Sequence, residues 1–203
     1  MRMTSWILGL SLVLPFGTTG GAEDKAGVNA EGFLQKWLVL APIPLAEKEE
    51  GADALGKEQL KDEANLKPKV DAKVKVGDKQ LVWKEHVCKD YLLDFNAFLG
   101  ATTENSVAYA VTFIEAPEEI KGVKMKTGSD DEVKIYLNGK EVFKYGEGRS
   151  TEKDDDSTEV TLQKGVNVLV VKVVNEKEDW SFCVRFTDKD DKPLKNLKSK
   201  TTE

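Results

Sequence analysis

The sequence predicts an all-β chain, an antiparallel β-sandwich carrying a short irregular or helical N-terminal insertion. Three observations carry that prediction. From Val70 onward apolar residues recur with period two, each such run is bounded by turn residues, and no helix-length periodic segment alternates with the runs. The last point disfavours a parallel α/β sheet. With 203 residues, 40% hydrophobic and 33% charged, the chain has the composition of a globular protein of about one domain.

The chain opens on MRMTSWILGLSLVLPFGTTGGA, where Arg2 precedes an apolar run from Trp6 to Phe16 and small residues follow to Ala22. This is the layout of a secretory signal peptide over residues 1–22, and its apolar run is short for a membrane span. No later stretch is apolar enough to cross a bilayer, so the mature protein is expected not to be membrane-spanning, and its destination is periplasmic, cell-surface or extracellular. Removing residues 1–22 takes away Arg2 and no acid, moving the net charge from −6 to −7. Only Arg149 and Arg185 remain among the basic residues as arginines, so nucleic acid is excluded as a partner.

Residues 23–35 are small and polar at first and read as a flexible lead. KWLVLA, from Lys36 to Ala41, is the first strand, ended by Pro42 and Pro44, which donate nothing to a ladder. A charged stretch from Ala46 to Asn65 carries Leu55, Leu60 and Ala64 at near-helical spacing, consistent with one or two short helical turns on the surface. The runs VDAKVKV, LVWKEHV, SVAYAVTFI, VKMK, VKIYL, EVTL, VLVVKVV and WSFCVRF then bring the count to about nine strands, within a single sandwich over residues 36–190 and a polar tail over 191–203. Asn138-Gly139 is the pair that a two-residue type I′ hairpin demands, and Gly77-Asp78 and Gly165 mark further turns. Phase assigns the faces: Trp180, Phe182, Val184 and Phe186 inward, as are Val133, Ile135 and Leu137, and Val123 and Met125. Lys134, Tyr136, Lys124 and Lys126 then fall on a wet face, and the acids gather in loops at 129–131, 153–156 and 188–191.

The stretches GSDDEVKIYLNGKEVF, VTLQKGVNVLVVKVVN and WSFCVRFTD resemble the C-terminal half of galactose-binding-domain-like jelly rolls of exported bacterial proteins. KWLVLAPIP and VAYAVTFIEAP extend the resemblance over most of the mature chain, leaving out Glu47 to Lys69. It implies an antiparallel jelly roll with a non-catalytic carbohydrate-binding or domain-packing role. The short SDD-to-LNGK segment is also similar to PA14-like sandwiches, in which a paired-aspartate loop binds calcium and the calcium binds sugar. That resemblance implies Ca²⁺ on Asp130 and Asp131, with Asn138 as a further ligand.

The residues themselves offer several sites. Asp130-Asp131 with Asn138, or Asp154-Asp155-Asp156, supply hard oxygens, though neither has the spacing of an EF-hand loop, and a solvated acidic turn is the competing explanation. Trp37, Trp83 and Trp180 fall in core phases, so Tyr91, Tyr136 and Tyr145 are the aromatic platforms available to a glycan, with Arg149, Asn175 and Glu176 as loop polar groups. His86 is the only histidine, which excludes a three-histidine zinc site, and no Gly-x-Ser-x-Gly elbow or distinguished carboxylate pair points to a hydrolase. Cys88 and Cys183 both fall on outer faces. They form either a disulfide, as an exported protein permits, or two surface thiols. Three roles therefore stand: an exported glycan-binding module, an interaction subunit packed on an envelope protein, and, behind both, a small carbohydrate-active enzyme.

Overall fold

The computed structural model describes residues 27–203, so the export segment and the first part of the lead lie outside the described residues. In chain order the elements are β1 (Lys36–Pro44), helix α1 (Gly51–Gly56), β2 (Lys73–Val76), β3 (Lys79–Val82), β4 (Lys84–Val87), β5 (Leu93–Asp94) and helix α2 (Phe95–Leu99). They continue with β6 (Ser106–Ala116), β7 (Ile120–Asp130), β8 (Val133–Leu137), β9 (Lys140–Tyr145), β10 (Asp156–Leu162), β11 (Gly165–Asn175), β12 (Ser181–Thr187) and β13 (Lys198–Lys200). A 3-10 turn spans Glu63–Asn65.

Two antiparallel sheets face one another. The larger has the order β4-β1-β6-β11-β8-β9, with β13 also paired to β6, and the smaller runs β10-β7-β12-β5. Their facing side chains form one core in which Val123, Met125, Phe182, Val184 and Phe186 of the smaller sheet meet Ala108, Val133, Ile135, Val171 and Val173 of the larger. These are the inward phases that period-two reading assigns, and Trp37 and Trp180 are also buried there. The hairpin at Asn138-Gly139 has both residues at positive φ, 52° and 80°, as a type I′ turn requires.

The larger sheet is also covered on its other side. Residues 46–72 and the β2–β3 hairpin lie across it, burying Ala54, Leu55, Leu60 and Trp83 against Leu38, Leu40, Val107, Val111, Val170 and Val174. This explains why β11 reads as a nearly unbroken apolar run, since a strand buried on both faces has no wet phase to alternate with. It also corrects the wet-face assignment of β8: Lys134 and Tyr136 are 6% and 8% exposed. Under the cover Glu63 accepts hydrogen bonds from the hydroxyls of Tyr109 and Tyr136 and from Lys172 Nζ at 3.2 Å, while Lys134 Nζ lies 4.0 Å from it. Lys172 is fully buried and also donates to the main-chain carbonyl of Lys57. The covering segment is thus pinned by charge as well as by apolar contact. Removing one partner of such a buried pair is costly, about 3–5 kcal/mol, because the other charge is left uncompensated.

Both ends of the described part of the chain are more ordered than their composition predicts. Phe33 and Leu34, placed by sequence in a flexible lead, are 0% and 1% exposed, and Phe33 bridges to Arg185. Lys198–Lys200, placed in a polar tail, pairs with β6 while Leu197 and Ser199 are buried. Helix α2 is unforeseen by periodicity because it is only 5 residues long. It is held by its caps, with the Asp94 carboxylate accepting from the Ala97 amide at 2.9 Å and Gly100 closing it at φ 71°. Cys88 and Cys183 are both free and buried, so the disulfide is not formed and neither thiol is on the surface. His86 is half-buried, its ring edge-on to Phe98.

Candidate functional site

The chain passes from one sheet to the other at several connections, and three of these meet at one end of the sandwich. Asp130 ends β7 opposite Ser181 in the smaller sheet, whereas Val133 begins β8 opposite Val173 in the larger, so residues 131–132 make the first crossing. Residues 146–155 join β9 of the larger sheet to β10 of the smaller, and residues 176–180 join β11 to β12. Between them lies a cleft of about 330 Å³ lined by Asp130 and Asp131, by Gly148, Arg149 and Ser150, and by Lys177, Glu178 and Asp179.

The first crossing is stitched to β11. The Asp131 amide donates to the Val174 carbonyl at 3.2 Å, and the Val174 amide donates to the Glu132 carbonyl at 2.9 Å. Asp131 Oδ2 accepts from the Glu176 amide at 3.1 Å, and Ser129 Oγ donates to the Asp131 carbonyl at 2.9 Å. The Asp130–Asp131 peptide is cis. These bonds hold two adjacent carboxylates at the cleft wall, and among the described residues neither is in an ion pair.

Crowding and burial set the electrostatics. Desolvation first, then the neighbouring charges of Asp131 and Asp179, push the Asp130 carboxyl up to about 7. Asp131 is raised by burial as well, although the Glu176 and Arg149 amides oppose the shift. Glu132 is 3% exposed, its Oε2 has no hydrogen-bond partner among the described residues, and burial lifts it to about 7. Arg149 Nε and Asn175 Oδ1 are likewise buried without partners. Buried polar atoms are paired in the great majority of cases, which makes three such atoms at one end of the sandwich unusual.

The sequence-predicted residues divide accordingly. Asp130, Asp131 and Arg149 line the cleft, Glu176 bonds Asp131 through its amide, and the fully buried Asn175 precedes it at the end of β11, donating to the Thr103 carbonyl at 2.6 Å. Tyr145 is close by, but one face of its ring carries the Arg149 guanidinium at 3.8 Å, and Arg149 is held there by Ser129 and Asp156. Tyr136 is no ligand platform at all, because it is buried and bonded to Glu63. Tyr91 belongs to a different place, packed on Phe33 with Lys153 Nζ 4.2 Å from its ring centre. Asn138 is removed from the metal set: it sits at the far end of β8, where its side chain bonds Asn167 and the Val168 amide. The alternative acidic loop is consumed by cations, since Asp154 pairs with Arg185 and Lys126 and Asp156 with Arg149.

Glu132 and the loop acids Glu178 and Asp179 escape sequence reasoning. The run Glu176 to Asp179 is visibly charged, but only the pairing of β12 beside β7 brings it against Asp130. A hard cation fits the donor chemistry, since Asp130 and Asp131 offer carboxylate oxygens. It does not find a full protein cage: among the described residues no group of three acidic, histidine or cysteine side chains is placed to hold a metal. A cation here would take most of its oxygens from the main chain, water and ligand.

No family model and no curated protein matches the chain. Among solved structures it is similar to the PA14 domain of the MpAFP antifreeze protein, with a TM-score of 0.37 and 14% identity over 46% of this chain and 50% of that one. It is similar also to a PA14 sugar-binding domain from an RTX adhesin, at 0.33 and 15% over 45% and 54%. A β-glucosidase from Kluyveromyces marxianus, in complex with glucose, gives 0.29 and 15% over 41% and 11%. The chain thus spans about half the length of the two PA14 domains. Among the described residues no helix is long and apolar enough to cross a membrane.

Proposed function

We propose that this chain is an exported, non-catalytic binding module whose site is the acidic cleft, with Asp130 and Asp131 taking a divalent cation of the calcium type and, through it, the hydroxyls of a glycan. The observation that carries this is the pair of adjacent carboxylates, half-buried at a cleft wall, with the Asp130 carboxyl pushed up to about 7 by burial and then by the neighbouring charges of Asp131 and Asp179. Calcium accepts six to eight oxygens in flexible geometry, so an incomplete protein set is compatible with a ligand that completes it. Arg149 and Lys177 at the cleft rim would orient the ligand by hydrogen bonds, and Tyr145, already stacked under Arg149, would add little apolar surface.

A glycosidase is disfavoured by the same geometry. Such an enzyme sets one raised and one ionised carboxyl on either side of the scissile bond. Here the second strongly raised carboxyl, Glu132, is 3% exposed and faces Gly51. The interaction-subunit reading has one feature of its own, a mainly apolar groove of about 430 Å³ lined by Pro68, Val70, Phe113 and Thr201 on the covered side of the larger sheet.

A glycan array probed with calcium and with chelator, using the wild type and Asp130→Asn/Asp131→Asn, tests the proposal. Calcium-dependent binding that the double variant loses is the expected result. Glycan binding that survives chelation would refute the cation route, and absence of binding to any glycan would move the function to the interaction subunit.

A further inference from the structure

We propose that the covering segment is a working part of the cleft: the amide of Gly51 fixes Glu176, whose main chain in turn fixes Asp131, so α1 is a positioning element for the site. This rests on the cation-binding reading of the cleft, and it joins two parts of the chain that the sequence keeps 125 residues apart.

The contacts form a relay. Gly51 N–H, at the start of α1, donates to Glu176 Oε1 at 2.9 Å. Glu176 N–H donates to Asp131 Oδ2 at 3.1 Å. Glu176 is exposed, its carbonyl accepts from the Asn105 amide at 3.2 Å, and its side-chain bond to Gly51 ties the start of the 176–180 crossing to the cover. A β-carbon at 51 would displace the Glu132 carboxylate, the group that lies directly against this glycine. Glu132 itself directly follows Asp131 and is buried against that glycine. Docking of α1 therefore fixes both neighbours of the Asp131 carboxylate at once, one through a hydrogen bond and one through packing. Leu55 packs α1 itself onto the larger sheet, and Leu60 and the Glu63–Lys172 pair hold the segment that follows, so α1 approaches the relay as a pre-placed element. In metal sites, groups that orient a ligand from behind commonly change affinity about 10- to 100-fold when removed.

The test is amide hydrogen exchange at Glu176 in the full chain, read in wild type, Gly51→Val, Glu176→Ala and Glu176→Gln. Calcium affinity is measured on the same proteins by calorimetry. The Glu176 amide is expected to lose protection about tenfold in Gly51→Val and Glu176→Ala, as for one net hydrogen bond. It is expected to keep that protection in Glu176→Gln, which retains the accepting oxygen. Calcium affinity should fall about 10- to 100-fold with the protection. Should Gly51→Val not fold, the Ala and Gln variants at 176 carry the comparison alone. Unchanged protection in Glu176→Ala overturns the relay whatever calcium does, and so does an unchanged affinity once protection is lost. A wild type that binds no calcium, yet shows the coupled loss of protection, overturns the cation reading and upholds the relay.

Discussion

Glu132 shows most clearly how a single residue reports on this molecule. A carboxylate at 3% exposure with one oxygen unpaired stays folded most easily as the neutral acid, and its pKa moves from an ordinary 4.5 to about 7. The sign follows from linkage: a group with a raised folded pKa lends its full stability below its unfolded pKa and loses it as pH rises through the folded one. Glu132→Gln, which mimics the neutral form, should therefore raise stability at pH 8 by roughly 1–3 kcal/mol and change little at pH 4. Thermal melts at the two pH values check this, and an equal gain at both would place the effect in packing. The cysteines give a second residue-scale expectation. Burial pushes both thiols up to about 12, leaving almost no thiolate at neutral pH. Titration with a thiol reagent should find no rapidly reacting group in the native protein and two thiols once denatured without reductant; none after denaturation would mean a disulfide.

Among the elements, the segment laid over the larger sheet is held by a buried ion pair as well as by apolar contact. Lys172→Met leaves Glu63 buried with its main ion partner gone, and should lower stability by about 3–5 kcal/mol. Glu63→Gln/Lys172→Met should recover part of that loss, because no lone charge then remains. Urea unfolding measures both, and protease cleavage within residues 46–72 should accelerate in the single variant. This element also marks where sequence reasoning stops. The alternation Val133, Lys134, Ile135, Tyr136, Leu137 fixes which side chains face the inner core, and it does so correctly. The same alternation makes Lys134 and Tyr136 look like solvent-facing residues, because period two distinguishes two faces without saying what lies against the second. Only Glu63, 73 residues from Tyr136, reveals that this face is covered. The charged composition of residues 46–69 hides the cover for a related reason: few of its side chains enter the sheet, and those that do, such as Leu55 and Leu60, are spaced too sparsely to form a periodic run.

For the whole molecule, the fold was largely legible and the site only in part. Strand phases, the Asn138-Gly139 hairpin and the buried tryptophans follow from local chemistry. Asp130 and Asp131 stand out as an acidic turn, but their companions Arg149, Asp179 and Glu176 come from two other crossings between the sheets. Strand order, which no local pattern encodes, decides that these three connections meet. The same global logic explains why Asn138, so close in sequence to Asp131, is excluded: β8 runs away from the cleft and carries it to the opposite end. A ligand held at this junction bridges both sheets, so it should stabilise the folded chain as a unit, by about 2.7 kcal/mol at a concentration one hundredfold above Kd.

Calorimetric titration of calcium into the full chain and into Asp130→Asn/Asp131→Asn decides whether the acidic cleft holds a cation. Saturable binding at one site is expected in the wild type and its loss in the double variant, with the fold of both intact by far-ultraviolet circular dichroism. Absence of saturable binding in the wild type, or equal binding by the variant, would contradict a cation site in the cleft.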